Sequence, residues 1–222
     1  MSDPDFQAID QRIVAAADPA AAVESNLHAL CNEIGPRFAG TDGYRKAAVY
    51  MQDRLEAYGL ENAHLEPFEI AAFRRGSQPA RVMADGFEAA AYGLPYGAAT
   101  GPEGLKTTVI HVGGGSESNL ADRADQLSGC LVLTTGPGRV RQEIYAQCVE
   151  LGAGGLIRSN PIEGDHLHTG SVTHGQMGPI PAVSVSQKTG EALRQRVETG
   201  HDQLCLTVGG HCETVTTWNV VG

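Results

Sequence analysis

A chain of 222 residues with 41% hydrophobic content is long enough for one large domain or two small ones around an ordinary globular core. Sixteen basic against 26 acidic residues leave a formal net charge of −10, which repels phosphate backbones and anionic bilayers and argues against nucleic-acid and membrane partners. No stretch approaches the roughly 20 apolar residues of a membrane span, and the acidic start from Met1 to Phe6 lacks the basic region and apolar run of a secretory signal, so a cytoplasmic location is expected.

Three helices open the chain. Asp3 and Pro4 can cap and begin the first, whose apolar positions are Phe6, Ile9 and Ile13, and Asp18 with Pro19 repeat the device. The second places Val23, Leu27, Leu30 and Ile34 on one face and stops at Gly35-Pro36. A third starts near Thr41 or Asp42, carries the stripe Tyr44, Ala48, Met51, Leu55 and Tyr58, and ends at Gly59. From His64 the period changes to two, with Leu65, Pro67, Glu69 and Ala71 alternating against Glu66, Phe68, Ile70 and Ala72, which predicts a strand.

After Arg74-Arg75-Gly76 the texture becomes short apolar runs separated by Gly and Pro, and a domain boundary is placed there. Strands are expected at Arg81 to Met83, Thr107 to Val112, Cys130 to Thr134, Gly155 to Ile157, Ala182 to Val185 and Leu204 to Val208. Helices are expected at Val140 to Leu151, with Val140, Ile144, Cys148 and Leu151 on one face, and at Gln187 to Glu198. The organisation is then a helical first module over residues 1–74, a mixed α/β insert over 75–213, and a strand over 214–222 that resumes the first module. The overall class is α/β with α+β character. Val215 to Gly222 reads as a β-branched strand of the kind that continues into a buried sheet, so the chain is expected to be the front part of a longer polypeptide. The orphan apolar faces of the helices predict self-association, as a homo-oligomer or through poor solubility.

Five cysteines, Cys31, Cys130, Cys148, Cys205 and Cys212, have no paired spacing and are read as buried free thiols. There is no His-Glu-x-x-His, Cys-x-x-Cys or His-x-Asp. Asp165-His166-Leu167-His168, with His174 beyond it, has a His-x-His spacing that would put two imidazoles on one side of an extended segment, but the surrounding Gly, Thr and Ser read as a surface loop. His166, His168 and His174 are therefore taken as candidate substrate-facing residues rather than metal ligands. Cys205, His211 and Cys212 lack a fourth ligand, and adjacent ligands are awkward for tetrahedral geometry. Gly113 to Gly115 and Gly152 to Gly155 match neither a dinucleotide fingerprint nor a P-loop and are read as turns. Gly-x-Ser-x-Gly is absent and Cys148 falls on a helix face expected to be buried, so no catalytic residue is assigned.

The run from Leu30 to Gly43, Leu-Cys-Asn-Glu-Ile-Gly-Pro-Arg-Phe-Ala-Gly-Thr-Asp-Gly, followed by a helix and by Tyr58-Gly59-Leu60-Glu61-Asn62, closely resembles the start of the zinc-dependent exopeptidases, the aminopeptidase family with carboxypeptidase Q-like members. Gly152 to Ser159, His168-Thr169-Gly170, Ile180 to Val185 and Trp218 to Gly222 look like the protease-associated domain of that family and the strand that re-enters its catalytic domain. The resemblance implies an incomplete zinc-exopeptidase domain carrying an inserted protease-associated domain, and a parent that hydrolyses terminal peptide bonds of peptides. It also implies that the parent's two zinc ions and its Glu general base come from residues after the terminal strand. This chain then holds no cofactor and no metal ligand of its own, and the insert covers the cleft and aids substrate selection. The rival reading is a standalone protease-associated module that binds peptides or proteins without catalysis.

Overall fold

The computed structural model describes residues 6–16 and 20–222, so the capping roles expected for Asp3, Pro4, Asp18 and Pro19 lie outside the described residues. The chain forms two compact units, one from its residues up to Ile70 together with Val215–Gly222, the other from Ala71–Thr214. Helices and strands are mixed throughout, as an α/β class requires.

In the first unit, α1 spans Phe6–Ala16, α2 spans Ala20–His28 and α3 spans Asp42–Ala57. The second helix departs from the expected single α-helix: Ala29–Ile34 is a π-turn, closed by a hydrogen bond from Gly35 N to Leu30 O at 3.1 Å. Its cause is the pair of residues beyond Gly35. Pro36 offers no N–H, and the Arg37 guanidinium donates to the carbonyls of Leu30 and Gly35, satisfying acceptors that a regular helix end leaves open. The widened turn rotates the expected stripe, so that Leu30 and Ile34 are half-buried while Val23 and Leu27 are 50% and 55% exposed.

Helix α3 begins where its cap predicts. The Thr41 hydroxyl accepts from Tyr44 N at 3.3 Å, and Gly59, at φ 86°, follows the last turn. Ala47 and Ala48 are buried, Tyr44 and Leu55 half-buried, and the Tyr44 hydroxyl donates to Trp218 O at 2.9 Å. Gly40 has φ 75°, and a Cβ there would lie 2.2 Å from Val215 Cγ2. The resemblance motif carries glycine here because this position combines a left-handed backbone with a strand side chain seated on it.

Strands β1 (His64–Arg75) and β9 (Gly210–Val221) pair as a two-stranded sheet. In the second unit β2 (Ala80–Ala84), β3 (Phe87–Gly93), β4 (Leu105–His111), β5 (Leu131–Thr134), β6 (Gly155–Ser159), β7 (Ala182–Val185) and β8 (Gln203–Thr207) close into a barrel ordered β2-β3-β7-β6-β5-β4-β8. The run β4-β5-β6-β7 is parallel and the remaining pairings are antiparallel. Strand β3 is an addition to the expected set, because Phe-Glu-Ala-Ala-Ala-Tyr-Gly has weak strand preference. Its neighbours override that preference: the two-residue turn Asp85-Gly86 sets it against β2, and Tyr92 pairs with Ser184 of β7.

Val82, Val109, Leu133, Ile157, Val183 and Leu206 fill one cluster of the core. The second cluster is covered by α4 (Glu117–Ala121) and α5 (Arg141–Glu150), whose Leu120, Ile144, Tyr145 and Cys148 meet Val132 and Leu156. The expected face of α5 is corrected at its start, since Val140 is the residue before the helix and is 60% exposed, while Tyr145 is buried. Helix α6 (Gln187–Glu198) is capped by the Ser186 hydroxyl, which accepts from Thr189 N at 3.1 Å. The thiols are also corrected. All five are free, but only Cys148 is buried; Cys31 is exposed and Cys130, Cys205 and Cys212 are half-buried. Their short flanking apolar runs do not put them in a packed interior. No helix among the described residues is long and apolar enough to cross a membrane.

Candidate functional site

The parallel strands β6 and β7 are joined by residues 160–181, a long irregular segment that contains all three candidate histidines. Such a loop needs many partners for its backbone, and the sequence supplies them. Asn160 Nδ2 donates to His166 O at 2.9 Å and its Oδ1 accepts from Ile162 N at 3.1 Å, which folds the first turn. His168 N donates to the Ser184 hydroxyl at 3.1 Å. Val172 N and Gly178 N donate to the carbonyls of Pro95 and Tyr96 at 3.1 and 2.7 Å. Tyr145, on α5, closes the far end by donating to Ile180 O at 2.7 Å and accepting from Ile180 N at 3.2 Å. Gly178 sits where a Cβ would meet that hydroxyl at 2.2 Å.

The loop does not treat the three histidines alike. His166 and His174 are exposed, while His168 is half-buried. Leu167, between the first two, lines a cleft of about 430 Å³ together with Asp165, Phe87, Ser186, Lys188 and Thr189. At this cleft Asp165 accepts from Ser186 Oγ at 3.3 Å and lies 3.6 Å from Lys188 Nζ. Both groups of that ion pair are largely exposed, so it orients the rim and adds little stability. No group of three or more His, Cys, Asp or Glu side chains among the described residues is placed to hold a metal ion.

His168 instead joins two arginines that belong to no recognisable motif. Arg158, on β6, is in register with Ser184. Arg141, opening α5, donates its Nε to Ser171 O at 2.9 Å and lies flat against Gly170, where a Cβ would meet its Nη2 at 1.9 Å. The signal available in the sequence is a charged residue inside the otherwise apolar strand Gly-Leu-Ile-Arg-Ser. Burial, then the Arg141 and Arg158 guanidinium groups, hold the His168 imidazole below its ordinary value, so it is neutral at pH 7. Burial and Arg141 likewise lower Arg158. Nearby, Tyr96 holds φ 68°, a costly conformation for a non-glycine residue, fixed by its hydroxyl bond to Ala71 O at 3.1 Å and by Phe73, ring centroids 5.7 Å apart.

Cys205 and the pair His211 and Cys212 fall on separate strands, β8 and β9, and the Cys205 thiol turns to Glu103 O at 3.6 Å. The glycine runs are turns: Gly113 and Gly115 have φ 58° and 76° and lead into the Ser116 cap of α4, and Gly152, at φ 72°, follows α5.

This architecture is similar to that of part of several solved peptidases. A zinc aminopeptidase from Bacillus subtilis shares it with a TM-score of 0.67 at 22% identity over 88% of this chain and 44% of that one. A peptidase M28 precursor from Shewanella amazonensis shares it with a TM-score of 0.71 at 21% identity over 96% of this chain and 52% of that one. In sequence the chain is similar to carboxypeptidase Q from Bos taurus, 28% identical over 186 residues, 79% of this chain and 39% of that protein. It is similar also to carboxypeptidase Q from Homo sapiens, 33% identical over 112 residues, 50% of this chain and 23% of that protein. No family model matches the chain. Its relatives are therefore exopeptidases, and the resemblance to the zinc-exopeptidase family stands. The chain spans less than half the length of the curated relatives it matches.

Proposed function

We propose that residues 1–222 form the frame and the substrate-facing, protease-associated part of a zinc exopeptidase that cleaves terminal peptide bonds. Residues 75–213 are the protease-associated domain, and 1–74 with 214–222 belong to the peptidase domain. The observation that carries this reading is the loop 160–181: it is tied at several points to β7, to α5 and to the Pro95-Tyr96 segment, yet it leaves His166 and His174 exposed and sets Leu167 in a cleft. A tethered backbone with free polar side chains suits the positioning of an extended peptide.

The donor set among the described residues does not fit a zinc ion. In this reading the two zinc ions are held by residues outside this stretch, and the chain's own contribution is to bind and orient peptide. The similarity in sequence to carboxypeptidase Q and in fold to a zinc aminopeptidase supports the class, and it leaves the cleaved terminus open.

The test is steady-state kinetics of the polypeptide the gene encodes, with His166, His168 and His174 each replaced by Ala. The expected result is a KM rise of about three- to tenfold for at least one variant with kcat little changed, as loss of uniform binding requires. Unaltered KM in all three would refute the substrate-facing assignment.

A further inference from the structure

We propose that Arg141, Arg158 and His168 form a binding site for one oxyanion, a carboxylate or a phosphate group. The site goes beyond the peptidase reading and does not depend on it.

The chain has 26 acidic residues against 16 basic ones, so a cation has ample choice of partners. Some arginines take them: Arg74 pairs with Glu213, Arg81 with Glu88, Arg139 with Glu143, and Arg194 with Glu191 and Glu198. Arg141 and Arg158 pair with no carboxylate among the described residues. The Nε of Arg158 is buried and has no acceptor. A buried donor of a charged group left without an acceptor costs on the order of 1–3 kcal/mol or more. That cost is retained on β6, among the best-packed strands of the barrel, beside Ile157 at 0% exposed.

The three residues are linked by a short chain of contacts. Arg158 is in register with Ser184, and Ser184 Oγ accepts from His168 N at 3.1 Å. Two residues on, Gly170 lies under the Arg141 guanidinium, which the Ser171 carbonyl holds by its Nε at 2.9 Å. Only a glycine permits this stacking, because any Cβ would overlap the guanidinium. The loop thus seats Arg141 against Gly170, with the rest of its fork free of hydrogen bonds among the described residues. Burial first, and then the neighbouring positive charge, lowers Arg158 and His168, and an entering negative charge offsets both effects. Two guanidinium forks and an imidazole match the planar or tetrahedral oxygens of a carboxylate or phosphate group.

The experiment is side-chain Nε–Hε NMR of arginine in the 222-residue chain, titrated separately with inorganic phosphate, acetyl-alanyl-glutamate amide and acetyl-alanyl-glutamine amide. The proposal expects saturable shifts of the Arg158 and Arg141 signals with phosphate, the glutamate peptide or both, and none with the glutamine peptide. Saturation by phosphate alone identifies a phosphate-type anion as the ligand, and saturation by the glutamate peptide alone identifies a carboxylate. Arg158→Gln should weaken the affinity by about tenfold or more, as loss of a charge-assisted fork predicts. Arg141→Gln serves as the second variant if the first does not fold. Absence of saturation by either anion, equal shifts with the glutamine peptide, or affinity unchanged in a folded variant would overturn the proposal.

Discussion

Removing the hydroxyl of Tyr145 tests how the candidate loop is held. Tyr145→Phe keeps the buried ring, so the cavity created is no larger than one oxygen atom and the packing of α5 on Val132 and Leu156 is preserved. What is lost is the pair of bonds to Ile180. The carbonyl of Ile180 keeps a second donor, Ala98 N at 3.0 Å, while its N–H, 3.2 Å from the hydroxyl, is left without an acceptor. One lost bond at about 1 kcal/mol and one orphaned N–H at about 1–2 kcal/mol give roughly 2–3 kcal/mol of local destabilisation. Native-state amide exchange reads this directly, and the Ile180 amide should exchange about 30- to 150-fold faster. Amides of β4 and β5, which do not touch this bond, should change far less. Ile180 protection unaltered within about twofold would refute the assignment of Tyr145 as the clasp of the loop.

Gly190→Ala should reverse the usual sign of a glycine replacement inside a helix: the new Cβ would lie 2.2 Å from Ser159 Oγ and 2.4 Å from its Cβ, so overpacking outweighs the helical gain. Urea unfolding is expected to show a net loss of about 1–2 kcal/mol, and a stabilised variant would contradict the close approach of α6 to β6. Gly40→Ala should cost about 2 kcal/mol or more through its left-handed backbone and its overlap with Val215; a neutral effect in the same assay would remove that overlap as the reason the motif carries glycine there. Burial pushes the Cys148 thiol up to about 12. In a thiol-reagent assay at pH 8, Cys31 should react promptly while Cys148 reacts only at the rate of unfolding. Because its folded value is raised, Cys148 contributes stability that is complete below the unfolded thiol value near 9 and is lost as pH rises toward about 12, by roughly 1.4 kcal/mol per pH unit. Parallel stability curves of wild type and Cys148→Ala across that pH window would contradict the burial.

Much of the fold was legible because punctuation and period agreed. Thr41 and Gly59 bracket α3, the helix expected over Gln187 to Glu198 is α6, and the apolar runs of β5, β6 and β7 match strands buried in a parallel sheet. What failed to show was set by tertiary contact. The alanines of β3 suggest no strand until β2 and β7 flank them, and the π-turn before Gly35 depends on where the Arg37 side chain reaches. The candidate site was half legible. The histidine-bearing loop follows from its composition, whereas Arg141 and Arg158 lie 17 residues apart on a helix and a strand, and only the loop's turn at Gly170 and the β7 residue Ser184 link them to His168.

If residues 1–222 supply frame and lid while the zinc centre lies outside them, activity should divide between the two lengths of chain. The most direct measurement is peptide hydrolysis by the polypeptide the gene encodes and by the 222-residue chain, side by side, with zinc and with a chelator. Zinc-dependent release of terminal residues by the former, abolished by the chelator, and no turnover by the latter is the result expected. Chelator-sensitive turnover by the 222-residue chain, or none by the zinc-loaded complete polypeptide, would contradict it.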